Sequence, residues 1–254
     1  MHYELLFGIR YAITNYQEAC SLIIEKALSE DNPKQFAVSP LAVHGLIEGY
    51  KNEILKSQIN TINLVVPDGQ PIKWALNYFH NAKLKDRVYG PTLMLHVLES
   101  SQGNGVKIFL YGSTEKTLVK LRNFINENYP SVNVVGIQAD RFREATQQEI
   151  ETDRKTIIDS KANIVFVGRG CPRQERWVAD NKDFLPAVLI AVGAAFDFHA
   201  GNVSQAPSWM QRNGLEWLYR FAKEPKRLWK RYLFTNTVFV GLCLIHAIKK
   251  PFSR

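Results

Sequence analysis

The sequence holds three cysteines, Cys20, Cys171 and Cys243, far apart and without a Cys-x-x-Cys pair. That excludes a disulfide-stapled scaffold and a thiolate metal knuckle, and a reducing compartment fits best. Its six histidines show no metal-ligand spacing, and no Asp-x-Asp occurs, so the usual carboxylate pair of a metal-dependent transferase is missing. A dinucleotide turn of the Gly-x-Gly-x-x-Gly type is absent as well. Gly168-Arg169-Gly170 runs on into Cys171-Pro172-Arg173, which weighs against a nucleotide-binding oxidoreductase of the nicotinamide type. Met1 to Arg10 lacks a basic stretch followed by an apolar core and a small-residue cleavage site, so no secretory leader is expected. There is no internal repeat and no low-complexity segment. Tyr232–Ile248, an uncharged stretch of 17 residues, contains Thr235, Asn236, Thr237 and His246 and lies at the lower limit for a membrane-spanning helix of ~20 apolar residues.

What is present suits a folded chain. Of its 254 residues, 46% are hydrophobic and 22% charged, ordinary globular proportions and enough for one large domain with a small appendage. The charge is unevenly placed. Residues 205–254 carry ten Lys or Arg against Glu216 and Glu224, so the whole net charge of +8 lies there, and residues 1–204 balance at 22 basic and 22 acidic. A neutral body does not track a nucleic-acid backbone. A basic tail instead suits a membrane surface or a polyphosphate at one end. A boundary near residue 205 follows: an α/β core over 1–204 and a basic helical, membrane-associating appendage over 205–254. A helix lying in the membrane interface, with Trp229, Phe234 and Phe239 inserted and Arg227, Lys230 and Arg231 on headgroups, is expected there; the alternatives are that it packs on its own domain or a partner, or spans the membrane. A non-catalytic membrane-binding module stays open as an alternative.

The body alternates short apolar runs with helical patterns, which predicts a Rossmann-like parallel α/β sheet. The strands are Ile62–Val66, Val106–Tyr111, Val132–Ile137, Ile164–Val167 and Val188–Val192, with Phe36–Val38 as a shorter sixth. They are continuously apolar because helices cover both faces. Ala19, Leu22, Ile23 and Ala27 share one helical face. Ser39-Pro40 predicts a helix start, with serine as cap and proline in the first turn, running to about Tyr50. Phe196 to Pro207 is expected to be a loop. From Ser208 the chain looks helical, with Pro225 separating Gly214–Lys223 from Lys226–Ile248.

Ligands of open parallel sheets bind beyond the carboxyl ends of the strands. Five segments occupy such positions: Pro67-Asp68-Gly69, Gly112-Ser113-Thr114, Gln138 with Asp140, Gly168 to Glu175, and Gly193 to Asp197. At these residues the chain resembles the WecG/TagA/CpsF glycosyltransferase family, nearest to its exopolysaccharide-gum branch. The resemblance is carried by Val66-Pro67-Asp68-Gly69, Arg87-Val88-Tyr89-Gly90, Cys171-Pro172-Arg173-Gln174-Glu175-Arg176-Trp177, Val192 to Gly201, Ala206 to Gln211 and Gly214 to Tyr232. It implies inverting, metal-independent transfer of a sugar from a UDP-sugar to a polyprenyl-diphosphate-linked sugar, without a cofactor. The setting implied is the cytoplasmic face of the plasma membrane, in cell-surface or exopolysaccharide synthesis. Oligomeric state, including a homo-oligomer, stays open.

The resemblance also assigns roles. Asp68 matches the family's catalytic base, although it could simply shape a Pro-Asp-Gly turn. Arg87 and Gln174 match active-site positions. Arg220, Arg227 and Arg231 match appendage arginines that hold diphosphate, which suits the planar two-donor fork of arginine. Gly112 lies where backbone approaches a phosphate, Asp197 either contacts the nucleotide or is a buried structural carboxylate, and His199 either touches substrate or packs. The family's Thr-x-Asn positions hold Pro40 and Ala42 here, His44 matches the gum branch, and Thr92 replaces a frequent acidic residue.

Overall fold

A computed structural model describes residues 1–29 and 35–249, with the side chains of Ser208, Arg227, Lys230, Arg231 and Lys249 outside that description. The chain opens with a hairpin, β1 (His2–Leu6) and β2 (Ile9–Ile13), paired antiparallel around Phe7-Gly8. Helix α1 (Tyr16–Leu28) follows, capped by the Asn15 side chain on the Glu18 amide and burying Ala19, Cys20, Ile23 and Ala27. Next come β3 (Phe36–Leu41), α2 (Val43–Lys51), α3 (Glu53–Thr61), β4 (Leu64–Pro67), α4 (Gln70–His80) and α5 (Gly90–Ser101). The second half of the core holds β5 (Lys107–Gly112), α6 (Glu115–Asn128), β6 (Asn133–Gln138), α7 (Gln147–Asp159), β7 (Ile164–Gly168), α8 (Arg173–Asn181) and β8 (Val188–Ala191). Short helices α9 (Ala195–His199) and α10 (Ser208–Arg212) lead to α11 (Glu216–Lys223) and the long α12 (Pro225–Lys249).

The six core strands form one parallel sheet in the order β4-β3-β8-β7-β5-β6. Successive residues of a strand point to opposite faces, and here both faces are buried. Val65, Phe109, Val165 and Leu189 face a cluster with α2, α3 and α8. Val66, Leu110, Phe166 and Ile190 face a second cluster with α1, α5 and α6. This is the α/β fold expected, with helices at the C-terminal end.

Three expectations need correction. Ser39 and Pro40 do not open a helix: both lie in β3, and α2 starts at Val43 behind Ala42, which makes no side-chain cap. Proline is tolerated there because β3 pairs with β8 only as far as Val38 and beyond it has β4 as its one partner, Pro40 lying opposite Val66. The Phe196–Pro207 loop contains α9. Phe239 does not point outward. It is 7% exposed, meets Phe7 edge-on at 5.9 Å and joins the core cluster of Leu46 and Phe79. The other two aromatics named for insertion, Trp229 and Phe234, are exposed. Among the described residues no helix is long and apolar enough to cross a membrane.

Candidate active site

Strand β4 ends in Pro67, and the chain must turn sharply to start α4. Gly69 takes φ +87°, a left-handed value that side chains disfavour, and caps the helix while Pro71 sits in its first turn. The turn leaves Asp68 on the carboxyl edge of the sheet. Its amide donates to Leu41 O at 3.4 Å, and its Oδ2 accepts from the Gly90 amide at the start of α5, also at 3.4 Å. Asp68 keeps some surface toward open space, but protein encloses its carboxylate otherwise. Burial raises its pKa to about 6; Arg87, the Gly90 amide and Arg220 oppose the rise, and Glu216 adds to it.

Arg87 is 7% exposed and donates through Nη2 to Glu216 Oε2 at 2.6 Å. Its guanidinium also lies 4.4 Å from the centre of the Tyr89 ring. Burial works against its charge, but Asp68 and Glu216 outweigh that and hold Arg87 firmly cationic. Glu216 comes from α11, so this buried pair ties the appendage to the core beside Asp68.

Two cavities meet at Asp68. A smaller one of about 300 Å³ lies over the sheet edge, lined by Pro40 to Ala42, Ser113, Gly168 to Cys171, Gln174, Glu175, Val192 to Ala194 and Asp197. A larger one of about 790 Å³ runs between α4 and α12. Asp68, His44, Tyr89 and Arg220 border both. The buried polar atoms here without a hydrogen-bond partner among the described residues include Gln174 Oε1 and Arg220 Nε. Leaving such atoms dry and unpaired is costly, so both mark places where a polar ligand fits. Gln174 is held by its Nε2, which donates to Glu175 Oε1 at 2.9 Å, and a Cβ on Gly193 would come within 2.9 Å of Gln174 Oε1. Arg220 also lies 5.5 Å from the centre of the Phe198 ring.

The remaining sequence candidates divide. Asp197 lines the smaller cavity and accepts from Asn202 Nδ2 at 3.3 Å. Gly112 lines neither cavity. It has φ +117°, and an added Cβ would stand 2.6 Å from Gly168 O, so its small size lets β5 and β7 end in close contact while the adjacent Ser113 faces the cavity. His199 also stays outside both. Its Nε2 bonds Pro91 O at 3.0 Å, its ring stacks on Phe124, and burial lowers its pKa. Asp140 turns inward to hold Arg169 and Arg173 at 3.0 and 2.9 Å. The Arg227 and Arg231 side chains lie outside the described residues. No group of three or more His, Cys, Asp or Glu among the described residues could hold a metal ion.

The model of the glycosyl transferase WecG/TagA/CpsF family matches residues 4–252. The chain belongs to this glycosyltransferase family. It is similar to the N-acetylglucosaminyldiphosphoundecaprenol N-acetyl-beta-D-mannosaminyltransferase of Bacillus subtilis (strain 168), at 31% identity over 176 residues, 69% of this chain and 66% of that protein. The matched part is thus just under two thirds of that relative's length. The protein of the same name from Bacillus spizizenii (strain ATCC 23059 / NRRL B-14472 / W23) is 26% identical over 211 residues, 83% of this chain and 79% of that one. Both bear mannosaminyltransferase names, whereas the sequence resemblance pointed nearest to a gum branch.

Glu216, which pairs with Arg87 beside Asp68, is a residue of this cluster that sequence reasoning left without a role. It stood in the quoted Gly214–Tyr232 run but received no role. The available signal was an acidic residue inside a strongly basic tail, which calls for a cationic partner.

Proposed function

We propose that the chain transfers N-acetylmannosamine from UDP to an N-acetylglucosamine carried on a polyprenyl diphosphate, with inversion and without a metal. The names of the two relatives support this acceptor and this sugar over glucose. The observation that carries the mechanism is the placement of one carboxylate, Asp68, at the meeting point of a polar and an apolar cavity. The polar cavity suits the nucleotide-sugar, with Gln174 Oε1 free to accept from a sugar hydroxyl or amide. The acceptor sugar enters from the other side.

Asp68 then takes the proton of the acceptor hydroxyl as its oxygen forms a bond to the anomeric carbon. The bond from that carbon to the phosphate oxygen breaks on the opposite face, and UDP leaves with the electron pair. Arg220, with a donor to spare, stabilises the developing charge on the diphosphate. Docking through the basic appendage to anionic lipid on the cytoplasmic face would present the acceptor.

The test is mass spectrometry of products from purified protein, UDP-N-acetylmannosamine or UDP-glucose, and a lipid-diphosphate N-acetylglucosamine, with and without excess EDTA. Transfer of N-acetylmannosamine that survives EDTA is expected. Asp68→Asn should lower kcat by about 10²–10⁴ with donor binding little changed. Near-normal turnover by a folded Asp68→Asn protein would remove the base, and loss of activity on chelation would remove the metal-free mechanism.

A further inference from the structure

The larger cavity, about 790 Å³ and mostly apolar in its lining, offers more apolar surface than a sugar needs. At its inner end stand Asp68, Arg87, Glu216 and Arg220. Moving away from them, polar side chains give way to apolar ones. On α12 the wall is formed by Asn236, then Phe239 and Val240, then Cys243 and Leu244, then Ala247. These recur at the three- and four-residue steps of a single helix face. On α4 the facing wall is Trp74, Ala75, Tyr78 and Phe79. The stretch from Asn236 to Ala247 makes the trough roughly 16 Å long at the α-helical rise. Its floor is tied to the core through Phe239, while Trp74, Tyr78, Val240 and Leu244 stand exposed along its rim. Exposed aromatic and aliphatic side chains along both sides of a cleft mark a binding surface rather than a solvated face.

The gradient of chemistry identifies the occupant. One end offers the carboxylate that would meet the acceptor's sugar hydroxyl, the other a hydrocarbon-lined trough continuous with it. A ligand filling both ends is an amphiphile with a polar sugar head and a hydrocarbon tail. We infer that the α4–α12 trough holds the first isoprene units of the acceptor's polyprenyl chain, so that the lipid is bound by protein rather than left in the bilayer. This rests on the reading of the acceptor as a polyprenyl-diphosphate-linked sugar. It assigns Phe239, Cys243 and Ala247 to acceptor selection, and it makes the enzyme a sensor of the chain next to the diphosphate.

Cys243 supplies a readout that does not depend on turnover, since it is half-buried within the trough. In phosphatidylcholine vesicles, maleimide alkylation of Cys243 in the full chain is followed by peptide mass spectrometry. Added polyprenyl monophosphate should slow the reaction on the order of tenfold, and the same mole fraction of phosphatidylglycerol should not. Equal slowing by both would make the trough a general acyl site and overturn the proposal, as would no slowing by either.

The second arm compares KM for acceptors with a long polyprenyl chain and with a short alkyl chain. The wild-type protein should favour the long chain by about tenfold or more, because several additional CH2 groups leave water. Cys243→Trp, which fills the trough midway, and Ala247→Trp, which fills it nearer the far end, should bring the ratio toward one. Two positions keep the test usable if one variant fails to fold. Retained preference in both variants would overturn the trough while leaving the transferase reading in place. If the wild-type protein transfers no sugar to either acceptor, the transferase reading falls, and the alkylation result still decides whether the trough takes a polyprenyl chain.

Discussion

In the proposed role of base, Asp68 meets two opposed demands, since a base must be ionised to act and burial resists ionisation. With its pKa raised to about 6, kcat/KM should fall about tenfold per pH unit below that value and level off above it. A profile that stays flat well below pH ~5 would remove Asp68 from the role. The same shift sets a stability term. The folded state binds this proton more tightly than the unfolded chain, so the contribution is fully present below the ordinary carboxylate value of 3.8 and is lost as pH rises through about 6. Asp68→Asn should therefore be more stable than the wild-type protein near pH ~7.5, by at most about 3 kcal/mol, and the advantage should vanish near pH ~3.5 in urea titrations. Arg87 and Glu216 push Asp68 in opposite directions. Glu216→Gln should move the acidic limb of the pH profile to lower pH, and Arg87→Ala should move it higher. Arg87→Ala should also cost about 3–5 kcal/mol, because it strands a buried carboxylate. Limbs that stay together in both variants would separate this pair from the base.

At the scale of elements, the parallel strands were legible because burial on both faces leaves them uninterrupted apolar runs. The β1–β2 hairpin was not. Its two-residue turn uses Phe7 at φ +49° and Gly8 at φ +86°, and phenylalanine in that position hides a signal that Asn-Gly or Asp-Gly would give. Ser39-Pro40 misled for a related reason: serine-proline is a sound helix start, and only the pairing limit of β3 shows that a strand tolerates it. In the site, Asp68, Gln174 and Arg220 could be picked out by motif, because each lies just past a strand or in a quoted run. The use of Gly112 for strand packing and of His199 against Phe124 could not, since both depend on contacts between distant segments. Helix α12 shows the same limit. Its pattern is compatible with lying on a membrane, and only the fold shows Phe239 turned to the core. Phe239→Ala should cost about 3–5 kcal/mol in chemical denaturation if α12 is an integral part of the body. A loss below ~1 kcal/mol would mean that the helix rests on the core without supporting it.

For the molecule as a whole, charge and apolar surface coincide. The ten basic residues after position 204 share their segment with exposed Trp209, Trp217, Trp229, Leu233 and Phe234. Where such cations reach an anionic surface each contributes about 1 kcal/mol, and salt screens them. Sedimentation with anionic vesicles should therefore weaken steeply as ionic strength rises, and neutral vesicles should hold the chain poorly. Salt-independent binding would assign docking to the aromatic residues alone.

The Arg87–Glu216 pair has a consequence for timing. Glu216 belongs to α11, and its charge is one of the influences that strengthen Asp68 as a base. Swinging that helix away would remove Glu216 together with the smaller opposing influence of Arg220 and would admit water to the carboxylate, and the net effect is a lower affinity for a proton. On the proposed reading, a chain with α11 displaced would hold a weaker base at Asp68, less able to activate a stray water molecule against the donor.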